Sequence, residues 1–187
     1  MLARARPPTH VALAAVLVTV GVLASVGVYL LLPSAPAVSS NVTLSIVRAP
    51  GSSAYGFSTA TVTVPGDTLV HFTIVNYDPT VHGALAGRNG TMGTWMGREM
   101  MDPGSGSWSN VSGLPNGEIS HTFTVTGDGY DLNVLIPPAA ASGPPSIVQF
   151  WLPTHGTADL TWACDADNMG GMMGGGGAWM TGSFDID

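Results

Sequence analysis

Lysine is absent from this 187-residue chain, and cysteine occurs once, at Cys164. Five arginines stand against twelve acidic side chains, and only 9% of residues are charged. A net charge of −7 without a basic patch disfavours nucleic-acid binding. A single thiol excludes an intramolecular disulfide framework, and in an oxidising compartment it must be buried or ligate something. Glutamate occurs only at Glu99 and Glu118, and there is no H-E-x-x-H, P-loop or nucleophile-elbow pattern. An enzyme with its own substrate is therefore not expected. The scarcity of charge suits an acidic external medium, where carboxylates are largely neutral, although genome composition also depletes lysine.

What is present begins with a long apolar run. Residues 11–32, "VALAAVLVTVGVLASVGVYLLL", carry no charge and only Thr19, Ser25 and Tyr29 as polar breaks. About 20 such residues span a bilayer core as a helix. Arg4 and Arg6 precede the run, and the next basic residue is Arg48. This asymmetry predicts a cytoplasmic tail at 1–10, a transmembrane helix or uncleaved signal anchor at 11–32, and an extracytoplasmic remainder. Ala35-Pro36-Ala37 offers the alternative of a cleaved signal peptide. Sequons at Asn41, Asn89 and Asn110 agree with an external address.

Residues 33–40, "PSAPAVSS", read as a semi-rigid linker to a domain at 41–187. Runs rich in Val, Thr, Ile and Phe predict strands near 42–47, 57–64, 68–76, 119–126, 130–135, 146–152, 157–164 and 178–186. "TATVTV" and "HTFTV" alternate as half-buried antiparallel strands do. Pro65-Gly66-Asp67 reads as a tight turn in which proline presets one dihedral and glycine permits the next. The fold class is an all-β sandwich. Residues 78–117 break the rhythm as an insertion too long for an ordinary connection. Within it Met92, Met96 and Met100, spaced four apart, would share one face of a short helix.

The residue types that carry chemistry gather late in the chain. Cys164 is followed at short spacing by glycines and by Met169, Met172 and Met173. His121 opens "HTFTV", 43 residues before Cys164. The alternative readings are an outward-facing strand histidine for His121 and a buried structural thiol for Cys164. The order "VPGDTLVHFTIVNYD", "HTFTV", "LNVLIPPA", "IVQFWLPTHGTADLTWAC", a Gly/Met loop and "WMTGSFDI" resembles the cupredoxins, or blue copper proteins. It is most similar to the membrane-anchored archaeal ones and to the copper domain of cytochrome oxidase subunit II. The resemblance covers about residues 42–187 apart from the insertion.

That resemblance implies a Greek-key β-sandwich holding one copper ion at one end. It implies His121 as first imidazole ligand, Cys164 as thiolate, and Met172 or Met173 as axial thioether. His₂Cys with a weak Met holds both copper oxidation states. This chain departs at the second histidine: Met169 stands where Cys-x₄-His would put it. Asn168 stands where a binuclear centre needs a second cysteine, which excludes that type. His82, in "NYDPTVHG", resembles the family's lead-in to a histidine and is either the missing imidazole or a loop residue. His71 and His155 read as structural or surface residues, and His10 as part of the tail.

Eight of the nine methionines fall at 92–101 and 169–180. Thioethers bind Cu(I) and stay unprotonated in acid, whereas imidazoles lose ligand capacity there. The expected function is a membrane-anchored one-electron carrier of a respiratory chain, exchanging electrons with a protein partner. Asp159, Asp165 and Asp167 would face a basic docking surface. The alternatives are a Met-rich Cu(I) binding or delivery protein, and a metal-free accessory or adhesion domain.

Overall fold

The computed structural model describes residues 38–51, 53–85, 87–156, 160–166 and 180–187. The expected tail and membrane segment at 1–32 lie outside these, as do Met169, Met172 and Met173. Among the described residues no helix is long and apolar enough to cross a membrane. Their only helical turns are two short 3-10 turns, Trp95–Gly97 and Asn116–Glu118.

The other regular elements are eleven strands: β1 (Val38–Arg48), β2 (Tyr55–Phe57), β3 (Thr61–Val64), β4 (Leu69–Asn76), β5 (Glu99–Asp102), β6 (Ser109–Val111), β7 (His121–Gly127), β8 (Tyr130–Ile136), β9 (Ser146–Pro153), β10 (Thr161–Ala163) and β11 (Thr181–Ile186). They form two mixed sheets, ordered β2-β1-β4-β9-β5-β6 and β3-β11-β10-β7-β8. The pairs β1–β4 and β11–β3 are parallel, and the other pairs are antiparallel. β1 starts at Val38, inside the stretch read as linker.

Strict alternation in β9 buries Ser146, Val148, Phe150 and Leu152 and leaves the intervening side chains half-buried. Its partner β4 buries Val70, Phe72 and Ile74 on the same inner face. Phe72 and Phe150, cross-strand partners, stack with centroids 5.1 Å apart. From the opposite sheet come Phe123, Val125, Trp162 and Phe184. Phe57 meets Trp162 edge-on at 4.8 Å, closing the core across the two sheets. Each fully buried aromatic of this kind contributes about 2–3 kcal/mol of transfer free energy.

Three expectations are corrected. The run 57–64 is not one strand. β2 pairs with β1 in the first sheet and β3 with β11 in the second, so the chain changes sheets at Ser58–Ala60. The Pro65-Gly66-Asp67 turn is made differently too. Asp67 takes the left-handed conformation (φ 52°), and a Cβ on Gly66 would lie 2.6 Å from the Gly156 carbonyl oxygen. Glycine is needed there for close approach.

The insertion is not a loop with a methionine-faced helix. Met92 forms an isolated bridge to Asn133, Met96 has φ 76° in a 3-10 turn, and Met100 lies in β5. Their helical spacing therefore aligns nothing. β5 and β6 extend the first sheet by pairing with β9 and with each other. The insertion also covers the outer face of β7 and β8, whose ends nearest His121 are buried on both faces. Thr122 and Thr124, which alternation would expose, are buried for that reason.

Candidate metal centre

Three segments converge beside the start of β7. The chain leaving β4 brings Asp78, β7 opens on His121, and Cys164 directly follows β10. Asn76 holds the first segment in place. Its side-chain amide donates to the carbonyls of Asp78 (3.3 Å) and Pro137 (2.9 Å), and its oxygen accepts from Asp78 N–H at 3.0 Å. The Ala139 N–H donates to the Asp78 carbonyl at 2.8 Å. Asp78 is thus fixed through its backbone before its carboxylate does anything.

That carboxylate is 2% exposed and carries three hydrogen bonds. Oδ1 accepts from Thr80 N–H at 2.9 Å. Oδ2 lies 3.0 Å from His121 Nε2 and 3.4 Å from His82 Nε2. Burial opposes its ionisation, but the bonds from His121 and Thr80 prevail and bring its pKa down to about 2. His121 is fully buried. Burial works against its charged form, and the Asp78 carboxylate and Cys164 overcome this, pushing its pKa up to about 9.

The other nitrogen of the same ring faces sulfur. His121 Nδ1 lies 3.6 Å from Cys164 Sγ. Sγ also accepts from Thr122 N–H at 3.4 Å. The Cys164 N–H donates to Met180 O at 2.8 Å, which keeps the thiol in line with the β10–β11 ladder. Burial disfavours the thiolate, yet the His121 ring and the N–H groups of Thr122 and Ala166 lower the thiol pKa below its ordinary value. The metal-free site is therefore a continuous Cys164–His121–Asp78 chain of side-chain contacts.

These donors fit a soft metal. Two ligands at about 2.3 Å (sulfur) and about 2.0 Å (nitrogen), tetrahedrally disposed, stand about 3.5 Å apart. The Sγ–Nδ1 distance of 3.6 Å is close to that value. Nε2 is meanwhile bound to a carboxylate, the outer partner that metal-ligating imidazoles commonly have.

His82 stands on the other side of the ring. Its Nε2 shares Asp78 Oδ2 with His121, and the two rings lie 5.4 Å apart at 57°. Cys164 and the Asp78–His82 pair thus address opposite nitrogens of His121. Asp78, His82 and His121 place three donor atoms within 4.8 Å of one another. Met169, Met172 and Met173, with Asp159 and Asp167, are outside the described residues. Asp165 N–H donates to Thr122 Oγ1 at 2.7 Å, and its carboxylate lies 4.0 Å from Arg88 of the insertion. His71 bonds Asn41 at 3.1 Å and stacks on Trp151, and His155 packs against Tyr130. The sequon residues Asn41, Asn89 and Asn110 are exposed. Asp78 is the residue that sequence reasoning missed. Its signal was the Asn-x-Asp of "NYDPTVHG", the same stretch that carries His82.

Solved structures similar to this chain include the copper protein rusticyanin, at 13% identity and a TM-score of 0.46, covering 81% of this chain and 80% of that one. A rusticyanin from Thiobacillus ferrooxidans aligns at 14% identity and 0.44, covering 81% and 79%. Auracyanin B aligns at 12% identity and 0.37, covering 83% and 93%. Rusticyanin and auracyanin B are cupredoxins, the class that the sequence resembles. No family model matches the chain, and no curated protein does.

Proposed function

We propose that the chain is a membrane-anchored, extracytoplasmic cupredoxin that binds one copper ion and carries single electrons to or from a respiratory partner. The observation that carries this reading is the 3.6 Å approach of Cys164 Sγ to His121 Nδ1, with Nε2 already tied to Asp78. The anchor rests on the uncharged run 11–32 and the arginines before it. The described part is all-β, and a neighbouring fold is named as a copper protein.

Bound copper would supply one-electron redox chemistry at a thiolate and an imidazole. The chain's own residues prepare for it. His121 and Cys164 sit where water is excluded, so their geometry changes little between two charge states. The Thr122 N–H steadies the sulfur. Met169, Met172 and Met173 follow Cys164 closely enough in sequence to add a thioether. The protein acts as a carrier and not as an enzyme with its own substrate. Asp165 belongs to the face a basic partner would meet.

Copper analysis with one absorption spectrum tests the reading. Added Cu(II) should bind one per chain and give an intense visible thiolate band that Cys164→Ala abolishes. Tight Cu(I) binding without that band would replace the carrier with a delivery protein. No copper under controlled exposure would leave a metal-free domain.

A second reading draws on the three donors of Asp78, His82 and His121. Two imidazoles and a carboxylate suit a harder divalent ion. Metal retained in Cys164→Ala but lost in His82→Ala would favour that site over the sulfur one.

A further inference from the structure

Asp78 is buried at the inner end of the His121 ring, and nothing in the cupredoxin resemblance assigns it a part. Its backbone is fixed by Asn76 and Ala139, its Oδ1 by Thr80, and its Oδ2 meets His121 Nε2 at 3.0 Å. The carboxylate therefore has one orientation, with an acceptor aimed at Nε2. An imidazole held by that acceptor keeps its proton on Nε2 and presents the Nδ1 lone pair toward Cys164 Sγ.

Charge adds a second consequence. The thiolate and the Asp78 carboxylate together carry two negative charges. A divalent ion at the sulfur side makes the buried group neutral overall, whereas a monovalent ion leaves one uncompensated negative charge. Uncompensated charge in a water-excluded site is costly. Resting on the copper reading above, we propose that Asp78 is a positioning residue that fixes His121 for ligation through Nδ1 and biases the site toward the divalent state, with His82 an outer partner of Asp78 and not a ligand.

His82 enters through geometry. It approaches the same Oδ2 that already serves His121, at 3.4 Å, and its side chain is 8% exposed. It thereby helps shield the carboxylate from water and shares its negative charge. A ligand role would require it to leave this contact for the opposite nitrogen's side of the ring.

The experiment uses the copper-loaded protein and three variants. Asp78→Asn keeps an acceptor oxygen and removes the charge. It should retain the thiolate band and raise the reduction potential, through at least a tenfold change in relative Cu(I) to Cu(II) affinity, about 59 mV for one electron. Asp78→Ala removes the acceptor as well. In the diamagnetic Cu(I) form the slowly exchanging His121 Nε2 proton seen by NMR in wild type should then exchange rapidly. His82→Phe should leave the band in place. A wild-type protein without the band overturns both the copper reading and this inference. A wild-type band with an unmoved potential in Asp78→Asn, or a protected Nε2 proton in Asp78→Ala, overturns this inference alone. So does loss of the band in His82→Phe.

Discussion

Met92 and Asn133 exchange both of their backbone hydrogen bonds at 3.0 Å, joining the insertion to the edge of β8. The Asn133 side chain completes the join, donating to the carbonyls of Arg88 (3.1 Å) and Gly90 (2.7 Å). Beneath this seam Ala84, Ile119 and Leu135 form a small apolar cluster outside the main core. Without the cover, β8 would present unpaired N–H and C=O groups, an edge that folded proteins rarely leave open. The same segment, through β5, is hydrogen-bonded to β9 of the other sheet. The insertion therefore clamps the two sheets near the candidate site.

Gly93 is the test of that clamp. It has φ 74°, and a Cβ there would run into the Asp131 carbonyl oxygen and come within 2.7 Å of Leu132 Cα. Both obstacles are backbone, so neither can swing aside. Gly93→Ala should cost about 2 kcal/mol or more, from the strained dihedral and the lifted seam together. Thermal denaturation should show a lowered midpoint. An unchanged midpoint would mean that the seam contributes nothing to stability.

Glu99 gives the fold a pH dependence of unusual sign. It is 1% exposed in β5, and its Oε2 accepts from Leu135 N–H at 3.2 Å. Burial pushes its pKa from 4.5 up to about 8, against the hydrogen bonds from Thr91 and Leu135. Between those values the unfolded chain has lost a proton that the folded chain retains. Stability must then fall as pH rises through that window, by a few kcal/mol at most. His121 adds the same sign in the metal-free protein: its contribution is full below 6.5 and is lost as pH rises through about 9. Asp78 sets the acid limit, since its contribution is present above 3.8 and fades as pH falls through about 2. Denaturant titrations of the metal-free protein should find it most stable in mild acid. Glu99→Gln should flatten the decline between pH 5 and about 8. Equal slopes in both proteins would refute the assignment to Glu99.

How much of this was legible follows from where the signals lie. β4, β7, β8 and β9 were readable because Val, Ile, Thr and Phe recur there in long runs. β5 and β6, "EMMD" and "SNV", contain little that favours a strand and form because β9 offers β5 an edge and β5 in turn offers one to β6. The break between β2 and β3 was hidden because both halves are strand-like, and only the second sheet tells them apart. At the site, His121 and Cys164 stood out by type, and the structure brings them together. Asp78 did not, because an acidic residue after a strand is ordinary until its backbone is seen to be locked. The outer face of β7 misled for a related reason: alternation reports one covered face and cannot know of a second cover.

Met169 stands five residues after Cys164, where the resembling family carries histidine. Imidazole suits Cu(II) better than a thioether does, and thioethers favour Cu(I). Met169→His should therefore tighten Cu(II) binding relative to Cu(I) by at least about tenfold, lowering the reduction potential. Competition titrations with a Cu(I) and a Cu(II) chelator would read the two affinities separately. Unchanged relative affinity would place residue 169 away from the metal.

Metal uptake should release a proton, and the number released tests the electrostatics of the pair. In the metal-free protein His121 is held protonated up to about pH 9, and its ring in turn lowers the Cys164 thiol pKa below its ordinary value. A metal that takes Nδ1 must displace the proton facing the sulfur, whereas the Nε2 proton can remain on the Asp78 side. Near pH 7 His121 should thus release about one proton per metal bound. Apparent affinity should then fall by up to about tenfold for each unit that pH drops below 9. Calorimetry in two buffers of different ionisation enthalpy measures the count directly. Two protons would mean that Cys164 begins as a neutral thiol, and none would mean that the metal does not take His121 Nδ1.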